Sequence, residues 1–234
     1  MMNQNTANLD LKGILLLDKP PGRTSFSLIR TLRKRLHIKK IGHAGTLDPF
    51  ATGVMVFLVG REYTKMSNQF LNEDKEYLTR LHLGVSTDTF DSDGKVTAYS
   101  EKVPTKEEVE NSLSKFQGTI QQIPPMYSAK KVNGKKLYEL AREGKIVDRK
   151  PSTIDLQTTL LAYNYPFIDL SISCSKGTYI RSIADDFGAL LGCGSHLTQL
   201  QRTRSGKFTL DDCIDAALLE EPNFDLTSTM RKTY

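Results

Sequence analysis

The chain has 234 residues, of which 38% are hydrophobic and 25% are charged, a balance that is typical of a folded domain and argues against a disordered chain. The longest apolar runs, at residues 14–17 and 54–59, are much shorter than the roughly 20 residues of a membrane-spanning helix, so no membrane partner is predicted. The first eleven residues carry no secretory signal, and the three cysteines form no CxxC pair. Reduced thiols in a cytoplasmic protein are therefore expected.

Two segments concentrate the positive charge of the chain, whose formal net charge is +5. Residues 126–150 carry eight Lys and Arg against three Asp and Glu, an excess equal to the net charge of the whole chain, and residues 30–40 carry six Lys and Arg with no acid. Such clusters are typical of proteins that bind a phosphate backbone, although two solvated surfaces would give the same pattern.

The first quarter of the chain predicts a strand, a helix, an irregular loop and a second strand. Residues 1–11 are predicted to form a flexible tail, and Gly13–Leu17 a short buried strand. Thr24 or Ser25 can cap the helix that follows. Its buried side is predicted to be Phe26, Ile29, Leu32 and Leu36, and its exposed side Arg30, Arg33 and Lys34. Residues 41–53 are predicted to be an irregular loop and Val54–Val59 a strand buried on both faces.

The rest of the chain mixes strand and helix patterns without strict alternation. Strands are predicted at residues 77–83 and, from the alternation of apolar and polar side chains, at 168–174. One helix is predicted after the capping box at residues 104–108, with Val109, Leu113 and Phe116 buried, and another at 180–191, with Ile183, Phe187, Leu190 and Leu191 buried and Gly192 near its end. This mixture predicts an α+β fold with a mixed, mostly antiparallel sheet flanked by helices.

A single main domain is predicted at residues 12–219. Within it, residues 124–151 are basic, have few long apolar side chains and are predicted to form a thumb-like insertion with a short helix around Leu137–Ala141. Residues 220–234 are predicted to be a short C-terminal tail.

The most informative segment is the loop Gly42–Gly53, with the sequence GHAGTLDPFATG. Its three glycines and its proline fix an unusual backbone path. An Asp before a Pro is, on that feature alone, most often a turn residue. The complete string, however, closely resembles the GHxGxLDPxAxG motif of the TruB family of tRNA pseudouridine synthases.

Further segments carry the same resemblance in chain order. Residues 19–25 (KPPGRTS) resemble the KPxGxTS segment of the family, residues 75–77 its K-x-Y strand start and residues 87–94 its TDTxDxxG turn. Residues 124–134 are similar to the thumb sequence of the family, and residues 175–186, Leu200 and Arg202 to its C-terminal motifs. The resemblance covers the chain from about residue 13 to about residue 214.

The resemblance implies the pseudouridine synthase catalytic fold and three catalytic residues. Asp48 would be the nucleophile, and Arg181 would pair with it and favour its ionised form. Tyr77 would stack on the target uracil and relay the C5 proton, although a phenol with a pKa of about 10 is a poor base and stacking is the better supported role. The alternatives are a phosphate contact for Arg181 and a core position for the Tyr77 ring.

The resemblance also implies residues that bind the substrate. His43 would contact the RNA beside the flipped nucleotide, and Tyr179 and Leu200 would line the base pocket. Contacts with the remainder of the RNA are predicted for Lys19, Lys130, Lys131 and Arg202. The four histidines have no ligand spacing, and the acidic turn at residues 88–94 departs from a calcium loop, so neither a metal nor a cofactor is predicted.

Together these residues imply a cofactor-free isomerase that converts uridine to pseudouridine at position 55 in the TΨC loop of tRNA. The enzyme would act as a monomer that binds the T-arm and flips the target base. Many bacterial members of the family carry a further C-terminal RNA-binding domain of the PUA type, for which the residues after 219 are too few. The alternatives are a non-catalytic tRNA-binding or tRNA-folding protein on the same scaffold and a guide-RNA-dependent relative.

Overall fold

The computed structural model describes residues 11–132 and 134–232. Of these, residues 11–76 and 201–232 form one compact unit and residues 77–200 a second. The strands are β1 (Gly13–Lys19), β2 (Ile41–His43), β3 (Thr52–Val59), β4 (Lys75–Leu83), β5 (Val85–Thr87), β6 (Val96–Tyr99), β7 (Gly118–Gln122), β8 (Lys131–Val132), β9 (Lys135–Lys136), β10 (Ser152–Asn164), β11 (Phe167–Cys174), β12 (Ser195–Ser205), β13 (Phe208–Thr209) and β14 (Ile214–Asp215). The helices are α1 (Ser25–Leu36), α2 (Arg61–Lys65), α3 (Ser67–Leu71), α4 (Lys106–Leu113), α5 (Leu137–Arg142) and α6 (Ile180–Leu191), with 3₁₀ turns at Leu210–Asp212 and Ala216–Glu220. Apart from Leu11, the predicted flexible tail lies outside the described residues.

The first unit is built on β14, β1, β3 and the end of β12, which pair in that order. β1 runs antiparallel to β3, β14 pairs parallel with β1, and β12 pairs parallel with β3 at Gln201↔Thr52 and Arg202↔Gly53. β3 is buried from Gly53 onwards, which confirms the prediction from its apolar run. β2 pairs antiparallel with β3, and β3 begins at Thr52, so the prediction of an irregular loop over residues 41–53 was wrong for its first three and last two residues. A three-residue strand that contains a glycine has no periodic signal of its own and forms through its pairing partner.

Helix α1 confirms the predicted cap and corrects the orientation of one side chain. The backbone N–H of Ser27 donates to Thr24 Oγ1 at 3.0 Å. The buried residues are Ser25, Leu28, Ile29, Leu32 and Leu36. Phe26 was predicted to be buried but is 58% exposed. Successive residues of a helix are rotated by roughly 100°, so the Phe26 side chain points about 200° away from that of Leu28. Phe26 therefore lies on the exposed side of α1, with Arg30 and Arg33.

The second unit is built on the first half of β12 followed by β4, β11, β10 and β7. β10 runs antiparallel to both of its neighbours, with a register shift between Leu160 and Ala162. Buried and half-buried residues alternate along β11, as its sequence predicts. β5 with β6 and β8 with β9 form separate antiparallel ribbons. The mixed, mostly antiparallel pairing and the flanking helices confirm the α+β prediction.

Helices α4 and α6 begin where the sequence predicts. In the capping box of α4, Glu108 N donates to Thr105 Oγ1 at 3.1 Å and Thr105 N donates to the Glu108 carboxylate at 2.7 Å. α6 ends at Gly192, whose φ of 74° is the left-handed conformation that favours glycine. Leu190 was predicted to be buried but is exposed, because it lies at the edge of the buried face, one turn after the exposed Asp186.

Residues 221–232 pack against β1 and α1 within the first unit. Arg231 forms an antiparallel bridge with Ile14 on β1, and Leu226 is buried. The Arg35 guanidinium of α1 donates to the backbone carbonyls of Leu219 and Phe224. The segment therefore covers part of the β1 edge, which would otherwise present unpaired backbone groups. The predicted domain boundary at residue 219 stays a prediction.

The predicted thumb, residues 124–151, contains β8, β9 and α5, and α5 lies where the short helix was predicted. Leu137 and Leu140 are its buried residues. Arg142 and Lys136 lie over the Tyr138 ring at 5.4 and 5.2 Å from its centre. Asn133, between β8 and β9, is outside the described residues. No helix in the described part of the chain is long and apolar enough to cross a membrane.

Candidate active site

Asp48 lies on the loop between β2 and β3 in the first unit and is half-buried. The backbone N–H of Ala51 donates to Asp48 O at 3.1 Å, which closes a tight turn around Pro49. A second bond, from Gly22 N to Pro49 O at 2.8 Å, ties this turn to the segment between β1 and α1. The loop is therefore irregular but not loose.

The N-terminal turn of α1 holds the residue immediately before Asp48. The Ser25 hydroxyl accepts from Leu47 N at 3.2 Å and donates to Leu47 O at 3.4 Å. Ser25 and Leu47 are both buried, so a single hydroxyl satisfies both backbone groups of Leu47 away from water. This arrangement fixes the direction in which the chain enters Asp48.

Lys19 holds the residues that follow Asp48. Its side chain is fully buried, and Nζ donates to the backbone carbonyls of Pro20, Pro49 and Ala51 at 3.0, 2.9 and 2.5 Å. These three acceptors match the three donors of an ammonium group. Burial lowers the pKa of Lys19 to about 8; the charge of Asp48 raises this pKa and that of Arg202 lowers it further. The Lys19 side chain has no exposed surface in this structure, and its predicted contact with RNA stays a prediction.

Arg202 on β12 holds both ends of the same loop. Its Nε donates to Val54 O at 2.7 Å, and one terminal nitrogen donates to Gly45 O at 3.3 Å. Arg202 is 1% exposed, and its predicted contact with RNA stays a prediction. Gly53 lies against it with a φ of 104°, and a Cβ atom there would be 2.2 Å from Arg202 O. Only glycine allows the two backbones to approach in this way.

His43 is the other predicted site residue of this unit, and it is half-buried at the end of β2. Desolvation lowers its pKa, and the nearby charge of Arg202 lowers it further. At neutral pH the imidazole is therefore uncharged. An uncharged imidazole can pack against a nucleotide without the cost of burying a charge.

Replacement of Lys19 by Met is expected to destabilise the first unit and to slow turnover. The carbonyls of Pro49 and Ala51 lose their buried donor, which costs on the order of 1–3 kcal/mol in the free energy of unfolding and lets the Asp48 loop relax. The pKa of Lys19 is about 8 in the folded state and about 10.5 in the unfolded chain. Between these two pH values the unfolded state holds the ammonium proton more fully than the folded state, so the free energy of unfolding rises with pH. The stability of the wild type relative to Lys19→Met is therefore expected to grow as the pH rises through 8.

Urea unfolding at pH 7 and pH 9.5, with kcat measured in parallel, tests this expectation. Lys65→Met is the matched control, because Lys65 is an exposed lysine on α2 in the same unit. Equal stabilities for Lys19→Met and Lys65→Met at pH 7, or a difference that does not change with pH, would contradict the assigned role.

Arg181, in the first turn of α6, is the most constrained of the predicted site residues in the second unit. Its Nε lies 3.5 Å from the Asp91 carboxylate, and both side chains are 7% exposed. The two terminal nitrogens donate to Thr89 O at 3.1 Å and to Tyr127 O at 2.8 Å. The guanidinium thus connects α6 with the acidic turn and with the start of the thumb.

Asp91 is a functional candidate that the sequence interpretation assigned to a plain acidic turn. Its carboxylate accepts from Thr89 Oγ1 at 2.5 Å and from Asp93 N at 3.1 Å. Gly94 closes this turn so tightly that a Cβ atom would lie 2.2 Å from Thr89 Oγ1. The motif therefore shapes a turn that presents one buried carboxylate to Arg181. No local pattern reveals this role, since the partner lies 90 positions away in the sequence.

Tyr179, Tyr77 and Leu200 are also fixed by the second unit. Tyr179 caps α6 and is half-buried; its backbone N–H and C=O both bond to the Gln122 side chain, at 2.8 and 3.0 Å. Tyr77 on β4 and Leu200 on β12 are buried. The end of β7 therefore sets the position of Tyr179.

Lys130 and Lys131 are exposed on the thumb, which is the position that contact with an RNA backbone requires. Lys130 Nζ donates to Ser152 Oγ at 3.1 Å, which leaves further donors for a ligand.

In residues 11–132 and 134–232, no three His, Cys, Asp or Glu side chains converge into a group able to hold a metal.

Two family models match the chain. The model described as TruB family pseudouridylate synthase (N-terminal domain) matches residues 33–180, which is more than half of the chain. The chain belongs to the TruB family. The model of the tRNA pseudouridylate synthase B C-terminal domain matches residues 181–229 and so reaches past the predicted boundary at residue 219.

Individual relatives of this TruB member are similar to it in sequence over most of its length. The tRNA pseudouridine synthase B of Chlamydia felis is 58% identical over 220 residues, 94% of each chain. That of Protochlamydia amoebophila is 61% identical over 207 residues, 88% of this chain and 79% of the relative. Among solved structures, a chain of the crystal structure of a Cbf5–Nop10–Gar1 complex is 26% identical with a TM-score of 0.71 over 94% of this chain. This chain spans 60% of the length of that one. The predicted pseudouridine synthase fold is thus confirmed.

Proposed function

We propose that this TruB member isomerises uridine to pseudouridine at position 55 in the TΨC loop of tRNA, with its own side chains supplying the chemistry. One observation carries the proposal. Asp48 stands at its place in the motif of the family, on a loop whose backbone is held by Ser25, Lys19 and Arg202. The names of the relatives that are similar over most of the chain support the same reaction.

The reaction sets clear demands on the site. The C1′–N1 bond of uridine breaks, a C1′–C5 bond forms, C5 loses its proton, and N1 ends with a proton, so that product and substrate are isomers. A carboxylate can hold the detached fragment as a nucleophile. We assign this role to Asp48, with attack at either C1′ of the ribose or C6 of the uracil. A preformed loop supports this role because the nucleophile then needs little rearrangement.

The remaining site residues have supporting roles in the proposal. Arg181 is the arginine that the family resemblance assigns as the partner of Asp48, and its three contacts within the second unit hold the guanidinium in one orientation. Tyr77 stacks on the target uracil and relays the C5 proton. Tyr179 and Leu200 line the base pocket, and His43 contacts the RNA beside the flipped nucleotide.

Binding of the T-arm is assigned to the exposed lysines of the thumb. Lys130 and Lys131 belong to the segment 126–150, whose excess of positive charge equals the net charge of the whole chain and favours contact with phosphates. We further propose that the enzyme acts as a monomer in the cytoplasm. Its catalytic domain spans residues 12–219, with the thumb at 124–151.

Purified protein and an unmodified tRNA transcript, with no other factor, test the proposal. Pseudouridine is expected at position 55, read by mass spectrometry after nuclease digestion, and a transcript with cytidine at that position is expected to give none. Binding of the transcript without conversion would favour the non-catalytic alternative, and conversion only with an added guide RNA would favour the guide-dependent one.

A further inference from the structure

Helix α1 has an exposed face to which the proposed mechanism assigns no role. Phe26, Arg30, Arg33 and Lys34 follow one another at i, i+4, i+7 and i+8 on this face, and we call them the α1 stripe. Phe26 is 58% exposed, and the Arg30 guanidinium carbon lies 5.8 Å from the centre of its ring. The exposed ring and the adjacent guanidinium form a flat surface on which an aromatic ligand can stack.

The charge of the α1 stripe is available to an external partner. Residues 19–47 contain no Asp or Glu, and the first turn of α1 has no acidic residue. Among the described residues, Arg30, Arg33 and Lys34 form no ion pair, and Arg33 uses one nitrogen to donate to Ile41 O. The stripe therefore attracts a polyanion.

The α1 stripe begins where the helix contacts the Asp48 loop. Ser25, the residue before Phe26, bonds to both backbone groups of Leu47, and Gly22 N donates to Pro49 O. All of these residues belong to the first unit. Phe26 therefore lies one residue along α1 from the contact with the Asp48 loop.

We propose that the α1 stripe is a second RNA-binding surface, on which Phe26 and Arg30 stack an unpaired nucleobase while Arg33 and Lys34 contact phosphates. The identity of the RNA as tRNA rests on the proposed function. Base stacking on an aromatic ring beside an arginine is the usual means of holding a single-stranded nucleotide. A duplex stem would use the cations but not the exposed ring, and one aromatic side chain among three cations is too little apolar surface for a protein interface.

Two substitutions separate stacking from charge. Phe26→Ala is expected to raise the Kd for tRNA transcript about five- to hundredfold, with no change in the salt dependence of binding. Lys34→Gln is expected to lower the slope of log K against log salt by about 0.7–0.9, the value for one lost phosphate contact. For Phe26→Ala, KM is expected to rise while kcat at saturating transcript stays within about twofold, because Phe26 takes no part in bond making.

Each variant has a matched control outside the α1 stripe. Tyr99→Ala removes an aromatic ring that is 79% exposed, and Lys106→Gln removes an exposed lysine on α4. Both controls are expected to bind as the wild type does. A Kd for Phe26→Ala equal to that for Tyr99→Ala, or a salt slope for Lys34→Gln equal to that for Lys106→Gln, would overturn the proposal.

A photoreactive benzophenone side chain at position 26 locates the nucleotide. A cross-link to an unpaired nucleotide, mapped by reverse-transcription stops, supports the proposal, whereas a cross-link only within a stem, or none, overturns it. The binding measurements do not depend on turnover. If the wild type binds transcript but makes no pseudouridine, the proposed function fails, and the Kd of Phe26→Ala still decides whether the α1 stripe binds RNA.

Discussion

Asp48→Asn is expected to lower kcat for pseudouridine formation by roughly 10⁴-fold or more and to leave the Kd for tRNA within about twofold of the wild type. Asparagine keeps the size and the hydrogen-bonding oxygen of the side chain but has no charge and is not a nucleophile. The bonds from Ser25, Lys19 and Arg202 to the loop backbone remain after this substitution, so the loop is expected to keep its path. Single-turnover assays with excess enzyme, alongside filter binding, measure the two quantities separately.

Asp211→Asn is the matched control for this substitution. Asp211 is an exposed aspartate in the 3₁₀ turn Leu210–Asp212 of the same unit, so its loss is expected to change neither kcat nor Kd. Turnover by Asp48→Asn within tenfold of the wild type would remove this carboxylate from the mechanism. A parallel loss of binding would mean that the substitution disturbs the loop rather than the chemistry.

The sequence predicted those elements whose signal is local. The capping box of α4 joins Thr105 and Glu108, three residues apart, and the alternation along β11 reflects one buried face. In both cases neighbouring residues alone determine the pattern. The orientations of Phe26 and Leu190 were wrong because hydrophobicity was taken as burial, whereas only the packing partner decides where the buried face of a helix ends.

The site was predicted less completely, because its architecture depends on long-range contacts. The motif around Asp48 pointed to this loop through its resemblance to a family, and the catalytic role of the loop stays a prediction. The resemblance assigned Lys19 and Arg202 to RNA contacts, and it did not predict that both side chains are fully buried. Their acceptors are backbone carbonyls such as Ala51 O and Gly45 O, which no sequence pattern marks. The role of Asp91 was missed for the same reason, as its partner Arg181 belongs to a different element.

Arg181→Lys is expected to lower kcat roughly hundredfold or more, although the charge is kept. The guanidinium lies against Asp91 and donates to Thr89 O and Tyr127 O through separate nitrogens. One ammonium at the end of a shorter side chain cannot satisfy these widely placed acceptors, so the cation shifts away from its working position.

Asp91→Asn is expected to lower kcat as well, but by a smaller factor, because asparagine still accepts from Thr89 Oγ1 and Asp93 N. Values of kcat and KM for both single variants and the double variant, with tRNA transcript, measure these effects.

The double variant separates positioning from general loss of stability. If Asp91 acts only by orienting Arg181, the double variant is expected to have the kcat of Arg181→Lys alone rather than the product of the two losses. Arg80→Lys is the control, because Arg80 forms a two-bond pair with Asp169 at 2.7 and 2.8 Å in the same unit and has no assigned role in the reaction. Its kcat is expected to stay within twofold of the wild type. Independent, multiplicative losses at Arg181 and Asp91 would show that the carboxylate does not act through the guanidinium. An effect of Arg80→Lys as large as that of Arg181→Lys would mean that the loss follows from weakening any arginine–aspartate pair of this unit.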